Sequence, residues 1–212
     1  MAETVLILIV LTNLRLLGAS RLGASIRTVA VQGILLGALA LLAHGAAPTW
    51  GAVAMAVIGM ALKGGVFPWL LFRALRQADV QREVEPFVGP IPSLLAGIAS
   101  FGIAFWLSRR LPLPGGGEGL SLLVAVALFS ILAGLFLIVA RKKAITQVLG
   151  FLVMENGIYA FGVGLVRESP VLVELGVLLD VFVAVFVMGI IIFHINREFE
   201  HMDTDELATL KD

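Results

Sequence analysis

The sequence predicts an all-α, polytopic membrane protein of about seven transmembrane helices, N-terminus outside and C-terminus cytoplasmic. Three observations lead there. Hydrophobic residues make up 59% of the 212 positions and charged residues 14%, against about 25% charge in a soluble domain. A soluble fold so composed would leave large apolar patches in water. The apolar runs continue for about 20 residues, enough to cross about 30 Å of hydrocarbon, without the two-residue alternation of barrel strands. Lysine and arginine also gather in alternate connections, as they do on the cytoplasmic side of a bilayer.

The spans read as 3–20, 26–44, 49–72, 90–108, 119–140, 144–166 and 170–195. Asn13 and Arg15 interrupt the first, and Arg15 reaches the headgroups if it lies near the span's end. Met1-Ala2-Glu3 lacks the basic start of a cleavable signal peptide, so the first run is expected to be retained. Arg73 to Gly89 holds Arg73, Arg76, Asp79, Arg82, Glu83 and Glu85, too polar for lipid, and reads as a surface amphipathic helix or loop. Pro86, Pro90 and Pro92 punctuate the start of the fourth span. Leu113 to Glu118 is an exposed glycine-rich loop, and the chain ends in an acidic tail, Glu198 to Asp212. Trp50, Trp69 and Trp106 suit interface anchors. The odd connections carry Arg15, Arg21, Arg27; Arg73, Arg76, Arg82; and Arg141, Lys142, Lys143, while the other side has Arg109, Arg110 and Arg167.

Net charge is zero, which argues against nucleic acid as a partner. The absence of cysteine excludes disulfides, thiolate metal sites and cysteine-held iron–sulfur clusters within this chain. His44, His194 and His201 are too scattered in sequence to suggest a metal site. No phosphate-binding loop, nucleophile elbow or zinc-binding helix motif is present. Catalytic residues and a resident cofactor are therefore not expected in this chain.

Buried ionisable groups are the sharpest functional signal in a membrane, because each is costly unless paired or hydrated. Glu155 lies about 16 Å deep in the sixth span and Asp180 about 15 Å deep in the seventh, counted from opposite ends at about 1.5 Å per residue. Both carboxyls are expected near the midplane on neighbouring helices. Asn156 follows Glu155, and Tyr159, the only tyrosine, is one turn on. Gly176 and Ala184 flank Asp180 and admit close helix approach. A carboxyl so placed can take up and release a proton. Lys63 falls in the cytoplasmic half of the third span, followed by Gly64, Gly65 and Pro68, which loosen the helix. Lys63 either joins a proton path or snorkels to the headgroups. Glu155 and Asp180 either carry protons or form a hydrogen bond that holds helices together. Glu174 is expected to be interfacial.

Arg141-Lys142-Lys143 through Gly150 to Glu155-Asn156 resembles the second helix of the small three-helix NuoK/MrpC-type subunits: a basic loop, a glycine, then an intramembrane carboxylate and asparagine. Here the carboxylate falls about one turn later than the family's usual one. Glu174 to Asp180, continuing through Met188-Gly189-Ile190, resembles the third helix, with Asp180 out of register with the usual glutamate. The whole chain, with Lys63-Gly64 to Pro68-Trp69 ahead of that unit, resembles component E (HyfE-like) of hydrogenase-4 and formate-hydrogenlyase complexes. The resemblance implies a four-helix module over 1–118 with its polar segment at 73–89, a NuoK/MrpC-like module over 119–197 and an acidic cytoplasmic tail over 198–212. It implies a non-catalytic subunit of a complex-I-like, energy-converting hydrogenase in the inner membrane of a prokaryote. Its neighbours would be antiporter-like subunits, a membrane anchor and a [NiFe] hydrogenase module that holds the [NiFe] centre and iron–sulfur clusters. Its part would be proton or sodium translocation, with Glu155, Asp180, Lys63, Tyr159 and Asn156 as the path residues. The alternatives are a purely structural scaffold in that complex, or a stand-alone cation or proton transporter. The lack of a visible internal repeat counts against the latter.

Overall fold

The computed structural model describes residues 1–43, 50–77, 87–113, 118–165 and 189. Among these the chain is helical throughout its regular structure: α1 (Ala2–Gly18), α2 (Leu22–Ala43), α3 (Trp50–Ala61), a π turn (Leu62–Val66), α4 (Phe67–Gln77), α5 (Pro90–Ser108), α6 (Glu118–Ala140) and α7 (Ala144–Leu165). α3, the π turn and α4 run on without a break as one rod. Among the described residues, four stretches are long and apolar enough to cross a membrane: Leu22–Leu42, Ala56–Arg76, Pro90–Ser108 and Gly119–Ala140. The span expected at 170–195 and the tail lie outside the described residues, apart from Gly189.

The segment expected as a separate surface element after Arg73 is, up to Gln77, the end of the third rod. Its amphipathic spacing explains why. Phe67, Leu70, Leu71 and Ala74 recur on one face and are buried, while Trp69, Arg73 and Arg76 point outward. Residues 78–86 lie outside the described set.

The connections fall at two ends. The Arg141 Nη2 donates to the Leu17 carbonyl at 2.7 Å, and the Phe87 amide donates to the Ala140 carbonyl at 3.1 Å. These bonds draw the α1–α2 turn, the start of α5 and the α6–α7 turn to one end. Arg15, Arg21, Arg27 and Lys142 are exposed there. Lys142 lies 5.2 Å from the Phe87 ring centre and Arg27 6.0 Å from that of Phe72. At the other end of α5, Arg109 and Arg110 lie over Phe105 and Trp106, and Ser108 meets Ser121 of α6 at 3.4 Å.

Arg141 lies in the basic connection between α6 and α7, yet only 2% of its surface is accessible. Leu17 lies in the last turn of α1, where carbonyls have no partner within the helix and carry the negative end of its dipole. Arg141→Ala is expected to leave that carbonyl buried without its donor and to destabilise the subunit by about 1–3 kcal/mol. Thermal unfolding of the detergent-solubilised complex measures it, and an unchanged melting temperature would show the contact to be dispensable.

α6 and α7 are the tightest pair because glycines line their contact. A Cβ on Gly150 would stand 2.8 Å from the Gly134 carbonyl oxygen, and one on Gly157 2.7 Å from the Ile131 amide nitrogen. Gly150, Gly157 and Gly164 recur every seven residues on α7, so one narrow face stays against α6 over two heptads.

Candidate functional site

Two apolar clusters sandwich a polar layer. Toward the basic end lie Leu16 and Leu17 of α1, Ile26 and Val29 of α2, Phe129 and Leu137 of α6, and Leu149 and Leu152 of α7. Toward the other end lie Leu6 and Ile9, Leu36 and Leu39, Val126 and Ala127, and Ala160 of the same four helices. Between them each helix contributes polar side chains: Asn13, Gln32, Ser130, and the pair Glu155 and Asn156. All five are at most 2% exposed.

Lys63 enters this layer from the third rod. Pro68 has no N–H, so the hydrogen bond it would donate to Gly64 is missing. The Phe67 N–H reaches back to the Leu62 carbonyl instead, five residues earlier, which widens the turn into a π turn. Lys63 sits on that turn against α2. A Cβ on Gly33 would lie 2.5 Å from the Lys63 Cβ, so glycine is what allows the approach.

The Lys63 Nζ lies 2.7 Å from the Glu155 Oε1 and 3.2 Å from the Asn156 Oδ1. It also lies 5.3 Å from the centre of the Tyr159 ring, one turn along α7 from Glu155. The pair is enclosed, with 9% of the Lys63 side chain and 2% of that of Glu155 accessible. Apolar surroundings favour such charges only when they are paired and hydrogen-bonded, and the contact between Lys63 Nζ and Glu155 Oε1 is of that kind. A direct contact of 2.7 Å is within reach for proton exchange between amine and carboxylate.

The bonds continue away from Lys63. The Asn156 Nδ2 donates to the Gln32 Oε1 at 3.3 Å, and the Gln32 Nε2 donates to the Asn13 Oδ1 at 2.7 Å. The Asn13 Nδ2 donates to the Ser130 Oγ at 2.8 Å, and that hydroxyl donates to the Val126 carbonyl, also at 2.8 Å. α7, α2, α1 and α6 are thus linked in one chain.

Four of the residues expected to form a path stand together: Lys63, Glu155, Asn156 and Tyr159. Asp180 and Glu174 lie outside the described residues. The snorkelling alternative for Lys63 does not hold, because its amine turns inward to Glu155. Asn13, Gln32 and Ser130 escaped the sequence reading, in which Asn13 only interrupted a span. Their signal was a polar side chain within an apolar run, which lipid tolerates only where a partner is supplied.

Residues 121–212 match the family model described as NADH-ubiquinone/plastoquinone oxidoreductase chain 4L. An uncharacterized protein of Mycobacterium tuberculosis is 34% identical over 206 residues, covering 96% of this chain and 93% of that protein. Hydrogenase-4 component E of Escherichia coli K12 is 32% identical over 146 residues, covering 68% of this chain and 66% of that protein. A Shigella flexneri protein of the same description gives the same identity and coverage. No solved structure matches the chain.

Proposed function

Since the chain belongs to the hydrogenase-4 component E-like family of membrane proteins, we propose that it is a non-catalytic membrane subunit of a complex-I-like hydrogenase that contributes to ion translocation. The observation that carries the reading is the enclosed Lys63–Glu155 pair, in contact with Asn156 and Tyr159, between two apolar clusters. A charged pair at that depth is a poor choice for stability alone, since apolar residues of similar volume hold helices at least as well. It suits a site where a proton changes hands.

In the proposed arrangement the chain has seven spans, with the basic end of the bundle in the cytoplasm and the N-terminus outside. The clustering of Arg15, Arg21, Arg27 and Lys142 at one end supports that orientation. Asp180 would stand on the seventh span as a further carrier. The four-helix module over 1–118 would deliver Lys63 to a three-helix module over 119–197, a division supported by the family match beginning at residue 121. Antiporter-like subunits, a membrane anchor and a [NiFe] module would flank the chain in a prokaryotic inner membrane. Those partners would hold the [NiFe] centre and iron–sulfur clusters, in keeping with the absence of cysteine here.

Glu155→Gln keeps the shape and removes the charge. With the complex assembled, this substitution and Asp180→Asn are each expected to lower ion translocation by inverted membrane vesicles at least tenfold, the scale of losing a general acid–base group. Unchanged translocation in Glu155→Gln would overturn the carrier role of the pair, and in Asp180→Asn that of Asp180. A second reading, a scaffold, is favoured by the bond chain through α7, α2, α1 and α6. It predicts that the same variants lose assembly on blue-native gels while any assembled complex pumps normally.

A further inference from the structure

The chain of amides beyond Lys63 has a direction, and both of its ends impose the same one. Ser130 donates its hydroxyl proton to the Val126 carbonyl, a backbone group of its own helix. Its oxygen is left to accept, so Asn13 must turn its NH2 toward it. The Asn13 oxygen then faces Gln32 and accepts from it; the Gln32 oxygen in turn accepts from Asn156. That leaves the Asn156 oxygen facing the lysine. At the other end, an ammonium only donates, so it demands an oxygen from Asn156. Flipping any single amide would set donor against donor and acceptor against acceptor within a buried layer.

We propose that Gln32, with Asn13 and Ser130 behind it, is a positioning residue that locks the Asn156 carbonyl onto Lys63 and so holds the lysine in its charged form. Hydrogen bonds aligned head to tail polarise one another, which strengthens the terminal acceptor beyond what one amide offers. The protonation of the ion pair is thereby tied to the packing of α1, α2 and α6, helices that carry no other part of the pair. Glu155 and Tyr159, both on α7, are titratable groups that stand against Lys63. α2 faces it with Gly33, and the charged Arg27 of α2 is engaged with Phe72 instead. Gln32 touches neither the amine nor the carboxylate, and acts through Asn156.

The inference rests on the proposed role of the pair in translocation, and its test separates the two. The pH profile of proton translocation is measured in inverted vesicles holding the whole complex, for the parent, Gln32→Met, Ser130→Ala and Glu155→Gln. Gln32→Met keeps the volume and breaks the chain in the middle. The alkaline limb of its profile is expected to move by about one pH unit toward acid, the scale of one hydrogen bond to a charged group. Ser130→Ala removes the anchoring end, and a smaller shift in the same direction is expected. It also serves if Gln32→Met fails to assemble. Profiles unmoved in the assembled variants, whatever their rates, would overturn the inference and leave the amides as packing. An active Glu155→Gln would overturn the underlying reading and the inference with it. An inactive Glu155→Gln beside an unmoved Gln32→Met would refute the inference alone.

Discussion

Lys63→Met is expected to destabilise the subunit by about 3–5 kcal/mol, the usual result of removing one partner from a buried pair. Methionine fills much the same space, so packing is not the main loss. The loss is electrostatic: Glu155 keeps its place between two apolar clusters without the ammonium 2.7 Å away, and Asn156 no longer receives a bond from the lysine. The carboxyl can escape only by taking up a proton or by drawing water into the layer. The double variant Lys63→Met with Glu155→Leu removes both charges and is expected to recover most of that stability, because an apolar pair needs no compensation. Unfolding of the solubilised complex should therefore rank parent and double variant close together and the single variant well below. Translocation should be lost in both variants. A single variant as stable as the parent would show that the pair is already hydrated, contrary to its enclosure.

Gly157→Ala is the second change with a large expected effect. The added methyl would lie 2.7 Å from the Ile131 amide nitrogen and 2.8 Å from the Ala127 carbonyl oxygen, both backbone atoms of α6. Backbone cannot swing aside as a side chain can, so the two helices must part. Overpacking of this kind costs about 1–3 kcal/mol, and here it acts beside Glu155 and Asn156. A lower melting temperature and weaker translocation are expected together. Gly59→Ala is the control, since among the described residues nothing beyond its own helix backbone lies within 4 Å of the added carbon. It should be neutral or slightly stabilising, as alanine favours helix over glycine. Equal effects of the two substitutions would mean that the α6–α7 contact is looser than its geometry indicates.

The helices were legible because hydropathy is local. The span expected at 90–108 is α5 (Pro90–Ser108), the one at 119–140 is α6 (Glu118–Ala140), and the one at 144–166 is α7 (Ala144–Leu165). The third span ran further than expected, to Gln77, because Arg73 and Arg76 occupy the outward face of an amphipathic end that hydropathy alone reads as loop. The place of Glu155 on its helix and its company with Asn156 and Tyr159 also followed from counting along a helix, since a turn spans three to four residues.

The partners of those residues were not legible. α6 and α7 are apolar around most of their circumference, so the sequence does not say which side faces a neighbour. Lys63 and Glu155 are 92 positions apart, and nothing local relates their azimuths. The same holds for Gln32 and Asn156, 124 positions apart. The sequence by itself determined a bundle of apolar membrane helices, the gathering of its basic residues in alternate connections, and a carboxyl midway along one of those helices. Only the tertiary structure decided that Lys63 turns inward and that Asn13, Gln32 and Ser130 continue its bonds. The physical reason is that partition into lipid is a property of one segment, whereas hydrogen bonding in a buried layer requires donor and acceptor from different helices to meet.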